Sequence, residues 1–76
     1  MTREVLELTD ELSKIGKVIS IKNDFVFSLL MERDKENLSK NTLKIMELVT
    51  SYIGEEKEHI EVMFVDEEKL LIILKP

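Results

Sequence analysis

A small α+β domain is the fold class this sequence predicts: a central helix packed on an antiparallel sheet, an N-terminal helix before it, and an intertwined homodimer. Three observations predict it. Ile45, Met46, Leu48, Val49, Tyr52 and Ile53 recur at offsets of three and four, the spacing of one helical face. His59–Val65 alternates with period two, Ile60, Val62 and Phe64 on one side and Glu61, Met63 and Val65 on the other. Leu70, Leu71, Ile72, Ile73 and Leu74 then run without a polar break, as expected of a strand covered on both faces.

Residues 1–16 form the N-terminal helix of this reading. Thr2 is placed to cap it, Val5, Leu8, Leu12 and Ile15 line one side with Leu6 beside them, and Gly16 stops it. Arg3 and Lys14 are outnumbered by Glu4, Glu7, Asp10 and Glu11. A membrane-surface helix is normally basic on its polar face, so this helix is expected to cover the core or a neighbouring subunit rather than a bilayer.

Residues 17–37 make a strand and partner-contact segment. Val18, Ser20 and Lys22 alternate with Ile19 and Ile21; Phe25, Phe27, Leu29 and Met31 alternate with Val26, Ser28, Leu30 and Glu32. The Phe, Val and Ile content favours strand. A helix capped by Asp24 and starting at Phe25 is the alternative, because Phe25, Leu29 and Arg33 also fit a four-residue spacing. Asp34, Lys35, Glu36 and Asn37 read as a charged connection.

Residues 38–76 supply the helix and hairpin of the dimerisation region. Ser39 or Asn37 is placed to cap the helix, and Gly54 follows Ile53 where a left-handed C-cap is expected. The apolar arc spans about 160°, more than one sheet face needs. Asp66, Glu67, Glu68 and Lys69 form the hairpin loop, and Pro76 ends the last strand. Ile15-Gly16 and Ile53-Gly54 each follow a helix and precede strand-like sequence, which makes helix–hairpin twice over the alternative architecture.

A chain of 76 residues holds one domain with a marginal core, and it has no Cys for a staple. Oligomerisation is the remaining common remedy. The wide arc and the unbroken strand point to Ile45, Val49, Tyr52, Leu70, Ile72 and Leu74 as the dimer interface. The 16 acidic and 11 basic residues are dispersed and the net charge is −5, which argues against binding nucleic acid through phosphates. No run approaches the ~20 apolar residues of a membrane span, and cytoplasm is the expected compartment. No catalytic, cofactor or metal site is expected. Gly16 and Gly54 are isolated, His59 is the sole His, and Asp66–Glu68 reads as a solvated loop.

From Leu38 onward the pattern resembles the family of MinE, the bacterial cell-division topological specificity factor. Val49-Thr50-Ser51-Tyr52-Ile53 is similar to the end of that family's helix, and His59-Ile60-Glu61-Val62, Leu70–Leu74 and Pro76 resemble its hairpin. Lys22, Phe25, Phe27, Leu29 and Glu32-Arg33 fall where the family has a Lys, an alternating apolar run and an acidic-Arg pair. Asp24 stands in place of the family's Arg, Lys75 intrudes before Pro76, and the N-terminal segment is acidic where the family's is basic. The resemblance implies a homodimer that binds and stimulates a membrane-associated MinD-type ATPase, placing it peripherally at the inner membrane through that partner. It implies partner contacts at Lys22, Phe25, Phe27, Leu29 and Arg33. An unrelated acidic α+β adaptor or inhibitor is the competing reading. Either way, titration of labelled duplex DNA at physiological ionic strength is expected to show no change in anisotropy; salt-dependent binding would contradict the charge argument.

Overall fold

A computed structural model describes residues 3–32, 35–53, 58–66 and 68–76, with Lys35 described by its backbone alone. The order is α1 (Arg3–Ser13), β1 (Lys17–Asn23), β2 (Phe27–Glu32), α2 (Lys35–Ile53), β3 (His59–Val65) and β4 (Lys69–Lys75). The architecture is therefore α+β in the form of a helix and a hairpin, twice. The four strands form one antiparallel sheet in the order β1-β2-β4-β3, with both helices on one face.

Helix α1 forms where its spacing requires it, burying Val5, Leu8 and Leu12 on one side. Leu6, beside that stripe, is half exposed. Its end does not use a left-handed glycine. Gly16 has no positive φ; it is buried, and its N–H donates to the Leu12 carbonyl at 3.0 Å. The absence of a Cβ lets the chain turn from helix to strand inside the packed interior.

The segment after it is strand–turn–strand. Ile19 is the extra residue of a bulge between Val18 and Ser20, so parity switches there. Val18 and Ile21 consequently share the core side, while Ile19 is exposed; simple alternation put Val18 and Ile21 on opposite sides. Asn23 pairs with Phe27, which leaves Asp24, Phe25 and Val26 as the turn. Phe25 thus lies outside the strand whose Phe27, Leu29 and Met31 are completely buried.

Helix α2 starts at Lys35, not at Leu38, so Ser39 lies within the helix and does not cap it. The extra turn brings Leu38 into the core, where it is fully buried, and Glu36 meets Lys40 at 3.5 Å on the exposed side. The Asn37 amide donates to the Ile15 carbonyl at 2.9 Å, tying α2 to the α1–β1 connection instead of capping its own helix. The wide apolar arc has two partners within the chain, because α2 packs on both α1 and β4. Thr2 and Gly54, the two proposed helix-end residues, lie outside the described residues, as do Arg33 and Asp34.

The second hairpin has the expected register. Ile60, Val62 and Phe64 pack against the core, and Val65 pairs with Lys69 across the loop. Asp66 takes φ 54°, a left-handed conformation that a short polar residue tolerates better than most. The Glu58 N–H donates to the Lys75 carbonyl at 3.0 Å and extends the ladder by one bond.

The central strands β2 and β4 carry the core, where Phe27, Leu29 and Met31 stand opposite Leu74, Ile72 and Leu70. All six are at most 1% exposed, together with Leu8, Leu12, Leu38, Ile45 and Val49 from the helices. Each such side chain contributes about 1.5–3 kcal/mol on burial. Within a single chain Leu70–Leu74 is covered on one face only. Leu70, Ile72 and Leu74 lie under the helices, but Leu71 and Ile73 face away from them and are only half buried. Adjacent residues of β4 should therefore respond differently to the same change. Ile72→Ser is expected to lower the unfolding free energy by more than about 3 kcal/mol, and Leu71→Ser by about 1 kcal/mol or less, in urea denaturation at low protein concentration.

Candidate interaction surface

Three full cross-strand rows and a shorter fourth, Lys75 with His59, make up the sheet face that the helices leave open, and register assigns their members. Leu30 of β2 pairs with Ser20 on one side and Leu71 on the other, and Leu71 pairs with Met63. This middle row is mostly apolar. Towards one end, Lys22, Ser28, Ile73 and Glu61 stand in line; towards the other, Lys17, Glu32, Lys69 and Val65 do. Leu30, Ile73 and Val65 are half buried by their neighbours, and Met63 is 43% exposed.

Charge is distributed unevenly over this face. The β1 edge carries Lys17 and Lys22, both exposed, and the β3 edge carries Glu61. The Glu61 carboxylate accepts from Lys75 Nζ at 3.5 Å, with both side chains about half exposed. Across the last row, Glu32 lies between Lys17 and Lys69, so opposite charges alternate from β1 through β4.

The proposed partner-contact residues are not brought together. Lys22 is exposed at the end of β1, and Phe25 projects from the β1–β2 turn at 80% exposure. Phe27 and Leu29 are sealed in the core and cannot touch a partner while β2 keeps its place; Arg33 lies outside the described residues. Of the proposed dimer contacts, Ile45, Val49, Leu70, Ile72 and Leu74 are interior to a single chain, and Tyr52 is partly buried against them. The chain's own helices cover these side chains, and leave uncovered the Leu71 and Ile73 side of the same strand. Leu43 is 67% exposed on the outer side of α2. The residues that sequence reasoning passed over are Leu30, Met63, Leu71 and Ile73. Their signal was present in the unbroken apolar run, which marks a second apolar face without saying what covers it.

A half-open depression of about 240 Å³ lies between α1 and α2, lined by Glu11, Lys14, Asn37, Asn41 and Lys44 among others. Its polar groups serve the structure. Lys14 meets Glu11 at 3.1 Å, and the Asn41 amide donates to the Asn37 carbonyl at 2.9 Å. Among the described residues, no group of three or more His, Asp or Glu side chains could hold a metal ion. His59 is exposed at the start of β3. No described helix is long and apolar enough to cross a membrane. Comparison with protein-family models, curated proteins and solved structures finds no match.

Phe25 is expected to be dispensable for folding, although the sequence reading gave its ring a place in the packed sheet. Phe25→Ser should leave the urea midpoint unchanged to within about 0.5 kcal/mol, because a side chain exposed at a turn tip has little burial to lose.

Proposed function

We propose that this protein is a non-catalytic binding module, a small regulator that acts by protein–protein contact and self-associates. The observation that carries this reading is the mostly apolar middle row of the open sheet face, on the same sheet as a turn that holds Phe25 out in solvent at 80% exposure. Large apolar groups kept at a surface are characteristic of contact sites.

The finer reading follows the family resemblance. The protein is a MinE-like regulator that binds and stimulates a membrane-associated MinD-type ATPase and reaches the inner membrane through it. Lys22 and Phe25 are the first contact in this scheme. Phe27 and Leu29 join only if β2 leaves its position between β1 and β4 and is captured as a helix. Exposing Phe27, Leu29 and Met31 costs roughly 5–9 kcal/mol at the usual value per buried side chain, before any ladder bonds are counted. A partner can drive that exchange only by binding the released form more tightly by a comparable amount.

The interior position of β2 favours a second reading, in which the chain acts as an adaptor or inhibitor without rearranging. Hydrogen exchange with and without a MinD-type ATPase, alongside ATP turnover, separates the two. The regulator reading expects stimulated hydrolysis, a changed protection pattern across residues 27–32 on binding, and loss of stimulation in Phe25→Ser. Unchanged protection with no stimulation removes the ATPase partner and leaves the adaptor.

A further inference from the structure

We propose that the open sheet face is covered by a second copy of this chain, face to face, about a two-fold axis that runs along the strands between β2 and β4. The inference specifies the self-association named above but does not depend on any ATPase partner.

The argument is charge complementarity. Turning a second copy about that axis lays each full cross-strand row over its own reverse. Leu30 then meets Leu71 of the second copy, and Leu71 meets its Leu30. In the same turn Glu32 falls over Lys69 and Lys69 over Glu32, while the basic β1 edge at Lys22 falls over the acidic β3 edge at Glu61. Isologous contact requires this reciprocity. This axis also lays Lys17 over Val65, and the other in-plane axis, across the strands, likewise lays Lys69 over Ile73; what separates them is that the second also places Lys17 over Lys22, like charge on like, and Glu61 over Val65. Stacked sheets keep their strands within about 30° of each other, so pairs beside the axis hold register best. Those are Leu30 with Leu71 and Glu32 with Lys69.

Edge-to-edge pairing is the weaker alternative for a second copy. β1 carries a bulge and two exposed lysines, and β3 begins with His59 and carries Glu61, features that discourage strand addition. Size sets the strength. A sheet of four strands, each six or seven residues long, offers a footprint of about 400 Å² per copy, about 800 Å² in total, below the size of a stable interface and in the range of weak, transient ones. A micromolar, concentration-dependent dimer is the consequence.

Sedimentation equilibrium of the full chain and a charge-swap pair test this. Glu32→Lys and Lys69→Glu should each weaken the homodimer by about tenfold or more, because each brings like charges together twice across the interface. An equimolar mixture of the two variants should associate nearly as tightly as the unaltered protein. Mixing restores opposite charges between chains but leaves the Glu32–Lys69 rung within each chain like-charged, so an intrachain effect would not be rescued. Lys22→Glu mixed with Glu61→Lys repeats the test on exposed side chains should the first pair not fold. A chain that stays monomeric to millimolar concentration, a dimer that neither reversal weakens, or a weakened pair that mixing does not restore would each overturn the proposal. None of these results bears on whether an ATPase is stimulated.

Discussion

The antiparallel pairing of β2 with β4 is the constraint on which the rest of the molecule depends. A two-stranded hairpin is marginal by itself in water, and each half of this chain holds only one. Joining the hairpins through their inner strands makes a four-stranded sheet whose central rungs set Phe27, Leu29 and Met31 against Leu74, Ile72 and Leu70. Those rungs make the apolar floor on which Leu8, Leu12, Ile45 and Val49 sit. Neither helix has a comparable floor within its own half. The domain is therefore cooperative by construction, and a 76-residue chain closes a core without a disulfide.

The two halves repeat in architecture without repeating residue by residue. Both hairpins turn through three residues, closed by Asn23 with Phe27 in the first and by Val65 with Lys69 in the second. The closing rung faces the core in the first hairpin and the open side in the second, where Phe64 with Leu70 is the nearest core rung. The bulge at Ile19 adds a further offset on β1. These shifts explain why the sequence halves agree at few positions beyond Ile15-Gly16 and Ile53-Gly54. They also explain why the halves treat their edges differently, lysines at β1 and a carboxylate at β3, and that asymmetry gives the open face its direction.

Of the polar groups between the helices, Asn41 bonds within α2 and Asn37 bonds the Ile15 carbonyl of the α1–β1 connection. The surface ion pairs, such as Arg3 with Glu7 at 3.0 Å, are exposed and contribute little stability. What remains unaccounted for is apolar: Leu30, Leu71, Ile73 and Met63 on the open face, and Phe25 at a turn. Large apolar groups kept at a surface are characteristic of contact sites.

Local pattern determined most of the elements. The helical spacing of Val5, Leu8 and Leu12, the alternation over His59–Val65 and the aliphatic run of Leu70–Leu74 each specify an element, because a buried stripe must recur with the period of its backbone. The Ile-Gly echo carried the helix–hairpin repeat as an alternative, and the fold takes it. What the tertiary structure decided was which surface each stripe meets. Alternation cannot reveal the Ile19 bulge, because a bulge is a property of the pairing with β2 and not of β1 alone. Spacing marked Ile45, Val49, Leu70 and Ile72 as needing cover, but not that the cover comes from the same chain, since burial energy is indifferent to which chain supplies the neighbour. The same indifference hid the candidate surface. An unbroken run says that both faces of β4 are apolar, and only the placement of α1 and α2 on one side shows which of them is left open.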